Sequence, residues 1–150
     1  MTNTETAFDI TVDYSRSFED MVSGGNYAYV PREISSKNFP VTGEGTYSAK
    51  IEMIEFPKGT TISEVLTKIR KGEFQPAKIE ELLALGESYQ DLRPEHGLLA
   101  LGSFQRSHGR NYIGSTPCLR EYGDTDRCLF ENYLEESQDV SCYIIAAVKQ

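Results

Sequence analysis

Two short, uninterrupted apolar runs constrain the fold of this chain more than any other feature. The first is Gly97–Gly102, GLLALG, and the second lies in Ser141–Val148, SCYIIAAV. Continuous apolar runs of this length are typical of strands that are covered on both faces. We therefore expect both runs to lie inside a sheet, with the first run at its middle.

Two amphipathic helices are predicted to pack against that sheet. The order Thr61-Ile62-Ser63-Glu64 is that of a capping box, and apolar residues then recur at helical spacing until Gly72 ends the helix. The second helix follows Pro76 and covers residues 77–89, where Gly86 indicates close packing against a neighbour.

The remaining segments are predicted as strands and irregular connections. Tyr47–Phe56 alternates apolar and polar residues, as a half-buried strand does. The last third reads as short strands around 111–113, 118–120 and 127–130. Between Tyr27 and Gly45, Pro and Gly residues predict an ordered but irregular connection whose aromatic residues pack down, namely Tyr27, Tyr29 and Phe39.

Strands, then paired helices, then more strands indicate an α+β fold rather than a regularly alternating one. We expect a mixed or mainly antiparallel sheet packed against two or three helices. The length of 150 residues is that of one domain, so residues 1–150 are predicted as a single domain in which 1–6 form a disordered leader.

The charge balance argues against general nucleic-acid binding. The chain carries 15 Lys and Arg against 23 Asp and Glu, a net charge of −8, which phosphates repel on average. The tightest basic run, Lys68 to Lys71, falls where a helix should end, and cations there complement the helix dipole. A structural role for this run is therefore expected.

The amino terminus lacks a basic start followed by an apolar run, and no stretch is long and apolar enough for a membrane helix. The three cysteines, Cys118, Cys128 and Cys142, show no C-x-x-C spacing and are predicted to be reduced thiols, with Cys142 inside an apolar strand. These features predict a cytoplasmic protein without membrane contact.

Most of the chain resembles a family of small bacterial and mobile-element proteins to which no activity is assigned. The segment Pro76–Gly86, PAKIEELLALG, followed by Leu98–Ser103, LLALGS, carries the resemblance, supported by Asp13–Met21 and Cys142–Lys149. Members vary most after the Leu-Gly-Ser segment, which is similar to the variable surface of C-type-lectin-like proteins. The resemblance therefore implies a distantly lectin-like fold with a variable binding surface.

Signatures of metal binding and catalysis are incomplete. Zinc sites need paired Cys or His ligands, which are missing here, so neither a metal nor another cofactor is expected. Glu121, Asp124 and Asp126 surround Gly123 as in an exposed hairpin tip, without the spacing of a calcium loop. A thiol-dependent hydrolase or transferase using Cys118 or Cys128 with His108 is an alternative.

The most suggestive segment follows the first apolar run. Residues 103–110 lead from a buried strand into a polar loop that offers cationic side chains for charge-assisted hydrogen bonds. We expect a non-enzymatic binding module whose loops from about 103 to 126 contact a protein or a small anionic ligand. A further alternative is an anti-defence protein of a mobile element that sequesters a nucleotide signal or a host protein. The predicted binding residues are Arg106, His108, Arg110 and Tyr112.

Overall fold

The computed structural model describes residues 7–106, 114–135 and 137–149, and for Gln105 and Arg106 it describes the backbone alone. These ranges contain three α-helices, one 3₁₀ turn and eight strands. In chain order they are β1 Ala7–Asp13, α1 Phe18–Ser23, β2 Thr46–Ile54, α2 Ile62–Lys71, β3 Phe74–Pro76, α3 Ile79–Ser88, β4 Leu98–Leu99, the 3₁₀ turn Leu101–Ser103, β5 Gln105–Arg106, β6 Gly114–Tyr122, β7 Asp126–Leu134 and β8 Ile144–Lys149.

The strands form one sheet of mostly antiparallel pairs. The order runs β1-β2-β8-β4-β6, with β3 also paired to β8 and with β5 and β7 also paired to β6. Of the described pairs between these strands, β4 with β8 alone is parallel. The predicted α+β fold with a mainly antiparallel sheet and two or three helices is confirmed.

Both apolar runs lie inside the sheet, although the first makes a shorter strand than predicted. Leu98 pairs with Leu119 of β6 on one side and with Ile144 of β8 on the other, which places β4 at the middle. The chain then leaves the sheet in the 3₁₀ turn, where the Gly102 amide donates to the Ala77 carbonyl at 2.7 Å. The predicted strand over 97–102 is thus wrong beyond Leu99.

Neighbouring residues of the central strands enter two separate cores. Leu98 belongs to the larger core together with residues of α1 and α3, whereas Leu99 belongs to the smaller core with residues of α2. Because successive side chains of a strand point to opposite faces, the sheet is covered on both sides. We call these sides the α3 face and the α2 face.

The two predicted helices are confirmed. The Glu64 carboxylate accepts from the Thr61 amide at 2.9 Å, so the capping box forms as expected. Basic residues occupy the last turn of α2, which confirms their predicted position. At the start of α3 the Ser103 hydroxyl accepts from the Ile79 amide at 2.7 Å. This cap comes from a residue 24 positions away, and local sequence does not reveal it.

A buried arginine joins the hairpin of β6 and β7 to the helices on the α3 face. Arg127 is 4% exposed, and its guanidinium donates to the carbonyl oxygens of Gly25 at 2.6 Å and Gly86 at 2.8 Å. Two longer bonds reach carbonyls after α3, and the Tyr27 ring lies 5.1 Å from the guanidinium carbon. Arg127 therefore satisfies carbonyls at the ends of α1 and α3, where a positive charge is favoured.

The last third differs most from the sequence prediction. The short strands predicted around 118–120 and 127–130 are parts of one long hairpin, in which β6 and β7 contribute nine residues each and pair from Gly114 with Leu134 to Tyr122 with Asp126. The strand predicted around 111–113 lies outside the described residues. Cys142 precedes β8 and is exposed, so its predicted place inside a strand is wrong.

In the described part of the chain, α2 and α3 are too short to span a bilayer, and no helix there is suited to do so.

Candidate binding site

The predicted binding residues fall mostly outside the described ranges. Arg106 ends β5, and its backbone pairs with Gly114, but its side chain is not among those described. His108, Arg110 and Tyr112 lie in 107–113, outside the described residues. Their role in binding stays a prediction.

Within the rest of 103–126, the polar surface is carried by the hairpin rather than by loops. In β6, the side chains of Cys118, Arg120 and Tyr122 alternate with residues that point to the α3 face. Opposite them in β7, Cys128 and Phe130 share the same side of the sheet. Cys118 and Phe130 pack in the same core as residues of α2, whereas toward the hairpin turn this face opens to solvent, where Tyr122 is exposed.

Three aromatic rings gather on this surface. Tyr29 stacks on Tyr122 with ring centroids 6.3 Å apart, and it also meets Phe130 at 5.9 Å. Tyr29 is 45% exposed and Tyr122 is 46% exposed. Exposed tyrosines next to an arginine are typical of binding surfaces, where they supply contact area at low entropic cost.

Tyr29 is not packed down as the sequence predicts, although Tyr27 and Phe39 are packed. The reason is a backbone bridge between Tyr29 and Cys128, which attaches the segment around Tyr29 to the outer edge of β7. The Leu129 amide donates to the Tyr29 carbonyl at 3.0 Å. This pairing turns the Tyr29 ring onto the open part of the α2 face.

Arg120 lies at the centre of the surface and has spare hydrogen-bonding capacity. Its guanidinium carbon is 5.5 Å from the centroid of the Phe130 ring. The Nε atom is buried and finds no acceptor among the described residues. Ion pairs in the described ranges involve other residues, so no carboxylate there neutralises Arg120. We call Tyr29, Arg120, Tyr122 and Phe130 the arginine patch.

The thiols of Cys118 and Cys128 and the phenol of Tyr143, which lie near Arg120, are neutral at physiological pH. Burial raises the pKa of the Cys118 thiol to about 12, and burial likewise raises the pKa of Cys128 and of the Tyr143 phenol. The positive charge of Arg120 acts in the opposite direction on all three groups without cancelling the effect of burial. These three groups therefore do not neutralise the positive charge of Arg120.

The same pKa shifts bear on the thiol-dependent alternative. A thiol acts as a nucleophile only as a thiolate, and Cys118 and Cys128 are both buried with raised pKa values. The proposed base, His108, lies outside the described residues. The environment of the two thiols disfavours catalysis by either one.

The acidic turn at the end of the hairpin forms as predicted. Gly123 adopts a φ of +68°, a left-handed conformation that suits glycine, and the turn joins Tyr122 to Asp126. Asp124 and Asp126 are exposed. In the described part of the chain, no three His, Cys, Asp or Glu residues are placed to share a metal ion.

A second polar cluster surrounds the start of α3. Tyr14 donates to the Glu80 carboxylate at 3.0 Å, and Tyr47 donates to the Glu81 carboxylate, which also accepts from the Lys78 amide at 2.7 Å. Burial and the neighbouring Glu80 raise the pKa of Tyr14 to about 12. Adjoining cavities of about 250 and 420 Å³ flank this cluster. Because the phenols and carboxylates satisfy one another, we interpret the cluster as structural.

Comparison with known proteins adds no function to this geometry. No protein-family model matches the chain, and no curated protein or solved structure is significantly similar to it. The resemblance to mobile-element proteins and the lectin-like similarity therefore stay predictions.

Proposed function

We propose that this chain is a non-enzymatic binding module that uses the arginine patch to hold an anionic group attached to a flat or apolar moiety. The observation that carries the proposal is the Arg120 guanidinium, which lacks a carboxylate partner in the described ranges and lies over the Phe130 ring, which the exposed Tyr29 ring contacts in turn. The arginine patch lies mainly on the hairpin that follows the predicted binding loop.

The chemistry of the patch favours a carboxylate or a phosphate monoester over a polyanion. A guanidinium offers a planar fork of N–H donors that matches such groups, and bonds to charged acceptors are stronger than neutral ones. The net charge of −8 opposes a long polyanion, because only a local part of the surface is positive. A single anionic group meets one arginine without that long-range repulsion.

The aromatic rings provide apolar contacts for the part of the ligand that carries no charge. Tyr29 and Tyr122 are nearly half exposed before binding, so covering them removes apolar surface from water. A ligand that combines an anion with a ring should therefore bind more tightly than either group alone.

Titrations followed by two-dimensional NMR test this proposal with benzoate as the probe. We expect saturable shifts at Arg120, Tyr122 and Phe130, with much weaker shifts from acetate, which lacks the ring, and from benzyl alcohol, which lacks the charge. Arg120→Gln should weaken benzoate binding by about tenfold or more, because a bond between charged groups contributes about 1.5–3 kcal/mol.

Two variants serve as controls. Arg120→Lys keeps the charge but loses the planar fork of N–H donors, so we expect a partial loss of benzoate affinity. Arg32→Gln removes another exposed arginine and should leave binding unchanged. Equal benzoate affinity in the wild type and in Arg120→Gln would show that the patch is not the binding site.

A further inference from the structure

The open surface carries its own acidic group beside the arginine patch. Asp126 pairs with Tyr122 across the hairpin and therefore lies on the same side of the sheet as Arg120. Its side chain is exposed, and it belongs to none of the ion pairs in the described ranges. The surface thus presents a cation and an anion, neither of which is paired with an opposite charge within the described ranges.

We propose that the occupant of the arginine patch is a second copy of this chain, with Arg120 of each copy paired to Asp126 of the other. This inference rests on the proposed function, since it names the anionic group that the patch binds. In this arrangement the sheets of the two copies face each other, and a two-fold axis lies midway between them. The axis is at right angles to the line that joins Arg120 and Asp126 of one copy. Rotation about it places the guanidinium of each copy opposite the Asp126 carboxylate of the other. The resulting contact is self-complementary, as an interface between identical subunits must be.

The rings and charges of the surface fit this arrangement. Tyr29 and Tyr122 would be covered in the centre of the contact, and tyrosine and arginine are the residues that dominate binding energy at interfaces. The net charge of −8 on each copy opposes association, but at physiological ionic strength charges more than about 8 Å apart are largely screened. The reciprocal Arg–Asp pairs act at contact distance, where screening is small.

Charge reversal combined with sedimentation velocity tests the pairing. We expect the wild type to form a dimer, and Arg120→Asp and Asp126→Arg each to raise the dissociation constant by about 100-fold, because both symmetric pairs become repulsive. An equimolar mixture of the two variants should form a dimer again. In that mixture, position 120 of each chain meets an opposite charge at position 126 of the other chain.

Three outcomes would overturn the inference. They are a monomeric wild type, an Asp126→Arg variant that remains dimeric, and a mixture that fails to associate although both variants melt cooperatively. Should Arg120→Asp fail to fold, Asp126→Arg decides alone, because Asp126 is exposed at the start of β7 and its replacement should be tolerated.

Benzoate titration separates failure of this inference from failure of the proposed function. Asp126→Asn should be monomeric and still bind benzoate through Arg120. A monomeric wild type that binds benzoate overturns the dimer alone, whereas a monomeric wild type that does not bind benzoate overturns the proposed function as well.

Discussion

Replacing Arg127 with methionine should strongly destabilise the protein. The guanidinium makes two short bonds, at 2.6 and 2.8 Å, to carbonyls of Gly25 and Gly86 and two long ones at 3.4 Å. Bonds from a charged donor contribute about 1.5–3 kcal/mol each, so the two short ones account for about 3 kcal/mol at the low end of that range. Buried carbonyls left without a donor add about 1 kcal/mol or more. We therefore expect a loss of about 3–5 kcal/mol.

Urea unfolding measures this loss. With a typical denaturant slope of about 2 kcal/mol per molar, the midpoint should fall by about 1.5–2.5 M. Such a loss is a large share of the usual 5–15 kcal/mol stability of a domain, so the variant should be only marginally folded at 37 °C. The control Arg32→Met changes an exposed arginine and should shift the midpoint little. A loss below about 1 kcal/mol for Arg127→Met would refute the reasoning.

Replacing Arg120 with methionine should affect stability much less than Arg127→Met does. Methionine retains much of the apolar stem but not the guanidinium, whose buried Nε lacks an acceptor in the described ranges. Removing an unsatisfied polar group favours folding, and losing the contact with the Phe130 ring opposes it by about 0.5–1 kcal/mol. The stability of Arg120→Met should thus stay within about 1 kcal/mol of the wild type while benzoate binding is lost.

Two further predictions concern titration and thiol chemistry. Because the pKa of Tyr14 is raised from 10.0 to about 12 in the folded protein, its contribution to stability is fully present below pH 10 and is lost as the pH rises toward 12. The urea midpoint should decline over that window, and Tyr14→Phe should reduce the decline; an identical pH profile in both proteins would contradict this assignment. With a thiol reagent such as DTNB near neutral pH, exposed Cys142 should react in the native protein, whereas buried Cys118 and Cys128 should react only after unfolding. Rapid reaction of all three thiols in the native protein would show that Cys118 and Cys128 are not buried.

Patterns that depend on neighbouring residues were sufficient to predict much of the scaffold. The capping box at Thr61 and the alternation in Tyr47–Phe56 correspond to the observed start of α2 and to β2. Gly86 was expected to pack closely, and an added Cβ there would meet the Tyr27 hydroxyl. In each case the periodicity or the residue type reflects a constraint that acts within one helix or strand.

Predictions failed where distant segments determine the structure. The strand predicted over 97–102 stops at Leu99, because Gly102 packs against the carbonyls of Pro76 and Ala77 and Ser103 caps α3. The long strand β6 was expected only as a short strand around 118–120, and pairing with β7 along its whole length extends it. Neither set of contacts leaves a signal in the local sequence.

The arginine patch was missed for the same reason. Arg120 and Tyr122 alternate with residues of the opposite face, a pattern that a continuous strand would have revealed, but the sequence indicated only a fragment there. Tyr29 reaches the patch through a backbone bridge to a residue 99 positions later in the chain, and nothing near Tyr29 in the sequence indicates it.

The sequence by itself determined the α+β class, the two amphipathic helices and the apolar strands at the centre of the sheet, because these follow from local periodicity and composition. Only the tertiary structure decided which polar groups are satisfied. Arg120 and Arg127 belong to the same hairpin, yet Arg127 donates to four carbonyl oxygens in or just after α1 and α3, whereas Arg120 finds no acceptor for its Nε among the described residues. That difference depends on the elements packed against each face of the sheet, which are brought there by contacts between residues far apart in the chain.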